Sequence, residues 1–254
     1  MGARLGQETG PPSSCRNGFS LATGMVAAVL GLGVAVVLGD APAADATGET
    51  LLAWATARRE AVLASTPVWT VSVAAIYAFS LSVGADLLAR ASSPMERTLV
   101  VLGAVSSLLT FGISLIGFLF LTALAYQAPN LSAESAHGLG ALSLLSVNLT
   151  GIPTALTLLP WGWGMYRNRL ASPALIGFGV AVACLHVVSA CAFASSGWLS
   201  PSGIGARVAP PLYYVWVVWL GMTKFAPRVP STGHARSAPH GQTTGQQQRP
   251  GPLP

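Results

Sequence analysis

Charge is what this chain has least of: 8% of its 254 residues are Asp, Glu, Lys or Arg, against roughly 25% in a soluble domain. So little charge cannot cover the surface of a water-soluble globule. Lysine occurs once, and of the eight acids only Asp86 stands inside an apolar run. A pair of carboxylates for acid–base work at one depth of such a run is therefore excluded. Cysteine is scarce too, with three in all. Cys184 and Cys191 are seven residues apart, about 10.5 Å of rise on a helix, which is too far for a disulfide between them. Cys15 belongs to an N-terminal segment expected in the reducing cytoplasm. The four histidines are dispersed. His186 points about 160° away from Cys184 on its helix, and His137, at the mouth of another helix, does not face it as a second haem ligand. No metal and no cofactor is expected.

What fills the chain instead is apolar: 52% of it is hydrophobic, and its mean hydropathy is +0.59. The residues gather in six runs, 19–38, 68–88, 99–125, 139–165, 174–194 and 208–222. Crossing a hydrocarbon core of about 30 Å takes roughly 20 helical residues. The first five runs are long enough and the sixth is marginal, so six is the best count and five the fallback. The expected fold is all-α, a polytopic membrane helix bundle with six transmembrane helices. Residues 19–225 form its membrane domain. Segments 1–18 and 226–254, rich in Pro, Gly and Gln, have too little apolar surface to fold and are expected to be disordered.

Orientation follows from where the bases fall. Arg4 and Arg16 precede the first run, Arg90 and Arg97 lie between the second and third, Arg167 and Arg169 between the fourth and fifth, and Lys224, Arg228, Arg236 and Arg249 follow the sixth. Only Arg58, Arg59 and Arg207 occupy the alternate gaps, in company with Asp40, Asp45, Glu49, Glu60 and Glu134. Basic residues beside a span are retained on the cytoplasmic side. Both termini are then cytoplasmic, and the protein is expected to be multi-pass in the inner (plasma) membrane. The net charge of +5 reads as topology and attraction to anionic lipid rather than nucleic-acid binding. The first run also fits a signal peptide, but its length exceeds the usual core of about 7–15 residues. A retained helix is expected.

Local signals mark the helix ends. Thr66-Pro67 and Ser172-Pro173 set a capping hydroxyl before a proline at the first helical position, and Pro210-Pro211 opens the sixth helix in the same way. Trp161, Trp163 and Tyr166 would mark the inner interface, and Trp69, Tyr126, Trp198, Tyr213 and Tyr214 the outer one. Between the first two spans, residues 50–64 carry Leu51, Ala55 and Val62 along one helical face beside Trp54, with Arg58 snorkelling on that same face. A short helix lying on the outer surface is predicted.

Chemistry is sought where polar groups enter the hydrocarbon. Asp86, the one intramembrane acid, stands a turn from Arg90 and is expected to pair with it. Gly103, Ser107, Thr110, Ser114 and Gly117 recur along the third span, and Ser143, Ser146, Thr150, Thr154 and Thr157 answer on the fourth. Ala27, Gly31 and Ala35 form a small-residue face on the first. Such stripes let helices approach closely and read as packing seams. Pro153 must bend the fourth span by removing the bond to the carbonyl of Leu149. Asn148 and His186 come out at matched depth, about 13 Å from the outer ends of their helices at 1.5 Å per residue, with Ser114 beside them. These three form the candidate pocket.

The order Glu49-Thr-Leu-Leu-Ala-Trp54, Pro160-Trp-Gly-Trp163, Ser196-Gly-Trp198-Leu-Ser-Pro201 and Pro210-Pro-Leu-Tyr-Tyr-Val-Trp216 resembles bacterial six-helix integral membrane proteins of unknown function. That resemblance implies the architecture and brings no activity or catalytic residue with it. Two functional classes fit. The first is a non-enzymatic protein of the lipid bilayer that packs with another membrane protein or holds a small apolar molecule. The alternative is an intramembrane enzyme acting on a lipid or isoprenoid. The lack of a second acid beside Asp86 favours the first.

Overall fold

The computed structural model describes residues 13–39, 41–43, 45–191 and 204–223, whose regular structure is all helical. Both expected disordered ends lie largely outside the described residues, as do Trp198, Asp40 and the bases Arg4, Lys224, Arg228, Arg236 and Arg249. The same holds for the side chains of Cys15 and Arg16. The helices are α1 (Ser13–Leu38), α2 (Gly48–Ala57), α3 (Arg59–Leu88), α4 (Pro94–Gln127), α5 (Ala133–Leu149), α6 (Gly151–Arg167), α7 (Pro173–Ala190) and α8 (Ile204–Thr223). Five stretches are long and apolar enough to cross a membrane: Gly18–Leu38, Arg59–Leu88, Pro94–Asn130, Ala133–Arg167 and Pro173–Ala190. α8 has 20 residues, but its apolar part from Val208 to Met222 rises only about 21 Å. It packs against α1 and α7.

Caps set several of the starts. The Ser172 hydroxyl accepts from the Leu175 amide at 3.3 Å and opens α7 ahead of Pro173, as the sequence predicts. α4 opens on a capping box that the sequence reading passed over. The Ser93 hydroxyl accepts from the Glu96 amide at 3.2 Å, while Glu96 reaches back to accept from the Ser92 amide at 2.7 Å and its hydroxyl at 2.9 Å. Such reciprocal capping satisfies donors that a helix start leaves orphaned. Glu96 also pairs with Arg167 at 3.4 Å, which ties the start of α4 to the end of α6.

Proline placement departs from expectation at two helices. α3 begins at Arg59 and runs through Pro67, and α8 runs through Pro210 and Pro211. Thr66 therefore caps nothing. Its hydroxyl donates to the Val62 carbonyl at 3.1 Å and meets the Thr122 hydroxyl of α4 at 3.0 Å, so packing carries the helix across the missing amide. The predicted surface helix is likewise broken at Arg58, whose backbone leaves the helical region and whose guanidinium donates to the Val37 carbonyl at 3.4 Å. Leu51, Ala55 and Val62 are all buried, as their shared face requires. The first two lie in α2 and the third in α3.

The core joins α1, α3, α4, α6, α7 and α8 around Phe79, Ile76, Trp161 and Trp216. Trp161 belongs to this core and not to an interfacial belt: it is 0% exposed, and its indole donates to the Val100 carbonyl at 3.2 Å. Tyr213 and Tyr214 are also buried, whereas Tyr126, Trp163 and Tyr166 remain exposed. The small-residue stripe of α4 is a seam. Ser107 meets Ser80 of α3 at 2.8 Å, Thr110 meets Thr154 of α6 at 3.3 Å, and a Cβ on Gly117 would stand 2.9 Å from that of Ser146. On α1, the Ala27 carbonyl accepts from Ser72 at 2.8 Å.

Candidate functional site

The site begins with a bend. Pro153 cannot donate to the Leu149 carbonyl, and the fourth run breaks at Thr150 into α5 and α6. The Thr150 hydroxyl turns back to donate to the Val147 carbonyl at 2.6 Å. Below the break, α6 packs along both α4 and α7. Gly151 makes this possible, because a Cβ there would collide with the backbone carbonyl of His186. Beyond the break, α5 follows α4 and α2 and barely touches α7. The two arms of the kinked span thus part from each other, and α1 and α8 close the far side.

The wedge between them is a cavity of about 280 Å³. Its wall is chiefly apolar, with Val34 of α1, Phe111 and Phe118 of α4, and Leu144 and Val147 of α5; Leu51 and Trp54 of α2 lie over one end. Gly140 lacks the Cβ that would stand 2.9 Å from Leu51, which lets α2 settle onto α5. Trp69 stacks on Phe118 with ring centroids 5.6 Å apart.

Of the three candidate pocket residues, Ser114 and His186 line this cavity. Asn148 is 2% exposed, yet it lies off the wall, and its amide nitrogen has no hydrogen-bond partner among the described residues. The reason is azimuth. Gly140, Ser143, Leu144 and Val147 set the lining face of α5, and at 3.6 residues per turn Asn148 stands about 90° round from its centre. Asp86 is buried in α3 and does not line the cavity, and Arg90 is exposed. The expected ion pair between these two is not formed among the described residues. No cluster of three or more His, Cys, Asp or Glu suited to a metal occurs among the described residues.

His186 is a buried titratable group of the wall. It is 5% exposed and stands edge-on to Tyr213 at 6.3 Å and 89°. Its Nε2 has no partner among the described residues, and neither has the buried indole nitrogen of Trp69. Trp69, Thr110, Thr154 and Tyr213 all line the cavity and were not singled out as pocket residues from the sequence. The stripe of small and hydroxyl residues held the signal for Thr110 and Thr154, but a seam and a wall share that pattern. Comparison of the chain with models of known protein families, with curated proteins and with solved structures finds no match.

Proposed function

We propose that this chain is a six-helix protein of the inner membrane with both termini in the cytoplasm, and that it holds a small apolar molecule between its helices. The ten-to-three split of bases between alternate gaps supports the orientation. Reporter fusions after Arg90 and after Arg169 are expected to read cytoplasm, and one after Pro129 the outside. A fusion at Pro254 on the same side as Arg169 gives six crossings. On the opposite side it gives five, with α8 packed inside the bundle.

The observation that carries the binding reading is the cavity of about 280 Å³ with its apolar wall. An apolar cavity of about 150 Å³ takes up benzene, so this one suits a molecule of roughly 10 to 15 non-hydrogen atoms. Binding is favoured over chemistry because no carboxylate stands among the residues that line it. p-Cymene added to the detergent-solubilised protein is expected to raise its unfolding temperature saturably, by the linkage that gives about 2.7 kcal/mol at a hundredfold excess over Kd. Leu144→Trp fills the cavity and should abolish the increment while leaving helical content intact. A rise that never saturates, or one equal in both proteins, overturns the reading.

A further inference from the structure

We propose that the cavity takes up one linear hydrocarbon chain, which enters sideways from the lipid leaflet around the bundle. This rests on the reading of the cavity as a binding site and names its ligand class.

Shape decides the class. The lining residues of α4 run from Thr110 to Leu124, a separation of fourteen residues and about 21 Å of rise along the helix. Those of α5 run from Gly140 to Val147, and those of α1 from Gly31 to Leu38, so all three helices follow the cavity lengthwise. Its volume is about 280 Å³, room for roughly 10 to 15 non-hydrogen atoms. Atoms so few, spread over such a length, lie in single file. A compact ring compound fills one part of the cavity, whereas a chain meets apolar wall along the whole of it.

The way in is read from which helices meet. α4 packs with α3 and α5, α3 with α1, α1 with α8, and α8 with α7. The ring is open at one place, because among the described residues α5 has no packed face with α1 or α8 and barely touches α7. The side chains on either edge agree. Ala35 of α1 is exposed and Val147 of α5 is 38% exposed, although both line the cavity. Lining the cavity does not by itself expose a residue, since Phe111 and Thr154 also line it and are 5% and 2% exposed. Ala35 and Val147 therefore mark the two lips of a slot. The end near Leu124 is roofed by α2: Leu51 is buried there, and Gly48 lies so close to the Ala133 carbonyl of α5 that a Cβ would collide with it. The entrance faces the side of the bundle.

On the proposed orientation this side is the outer leaflet, half of a hydrocarbon core of about 30 Å. A lipid chain already stands at that depth, and it enters the slot without drawing its polar head into hydrocarbon, which would be costly. What favours entry is contact. An empty cavity leaves its lining without partner atoms on one side, and a chain supplies them.

The test uses the protein in vesicles of equal parts phosphatidylcholine and phosphatidylglycerol, with a trace of phosphatidylcholine carrying a diazirine at the end of one acyl chain. After illumination, peptide mass spectrometry is expected to find adducts on Phe111 and Thr154, inside the cavity, besides those on Leu119 of α4, which is 62% exposed. Leu144→Trp, which fills the cavity, should remove the inner adducts and spare those on Leu119. The same diazirine on a free fatty acid separates the two sources of such a chain. Inner adducts from either probe support uptake of a chain; from the phospholipid they assign it to bilayer lipid, and from the acid alone to a single-chain amphiphile. Adducts on Leu119 without inner adducts, in a protein that p-cymene still stabilises, overturn chain uptake and leave the binding reading standing. Inner adducts that persist in folded Leu144→Trp overturn it as well. If p-cymene fails to stabilise the protein and the inner residues stay unlabelled, both readings fall.

Discussion

Trp161→Ala is expected to cause one of the largest losses of stability available to a single substitution in this chain. The indole is 0% exposed and occupies the space left by two glycines. A Cβ on Gly103 of α4 would run into it, and one on Gly84 of α3 would lie 3.9 Å from its ring. Three helices therefore close on one side chain, and its hydrogen bond to Val100 fixes its direction. Truncating a buried Trp removes about 3 to 5 kcal/mol, with the lower end expected here because lipid also solvates an exposed apolar surface. Trp161→Phe retains most of the volume and should lose only about 1 kcal/mol with the hydrogen bond. Unfolding of the two variants in detergent, by heat or by titration with a denaturing surfactant, measures both. A wild-type midpoint for the alanine variant would contradict this packing.

Gly151→Leu is expected to damage stability and ligand binding together. A Cβ at this position would collide with the His186 carbonyl and stand 2.9 Å from the Cβ of Ala190. The obstacle is backbone on one side, so no rotamer change relieves it and α6 must move off α7. Overpacking of this kind costs typically about 1 to 3 kcal/mol and occasionally more. The same displacement shifts the wall that holds His186, so p-cymene should no longer raise the unfolding temperature. Gly177 supplies the control, since nothing lies within 4 Å of a Cβ built there. Gly177→Ala should leave the midpoint unchanged or raise it, because Ala suits a helix interior better than Gly, while Gly151→Ala should lower it. Equal behaviour of the two alanine variants would show that the α6–α7 approach is not tight.

The site was legible in part. Ser114 and His186 were placed together by depth, a quantity that the rise per residue fixes once the helix ends are known. Depth says nothing of azimuth, which is why Asn148 was grouped with them although its side chain lies off the wall. Trp161, Tyr213 and Tyr214 were read as interfacial because amphipathic aromatics gather near span ends. Here the glycines facing the Trp161 indole and the close approach of Gly31 to Tyr214 open room for the rings inside the bundle. Asp86 and Arg90 were paired by their spacing, yet the bundle buries one and exposes the other.

By itself the sequence determined the helical class, the apolar runs, the cap at Ser172 and the bend at Pro153. Each of these is a local property. A run either satisfies its backbone as a helix or leaves polar groups unpaired in hydrocarbon, and a proline removes its amide wherever it stands. Only the tertiary structure decided that α3 and α8 run through their prolines, that the surface helix breaks at Arg58, and that α5 and α6 part around a cavity. These outcomes depend on which helix faces meet, and small residues far apart in the chain set how closely the helices approach.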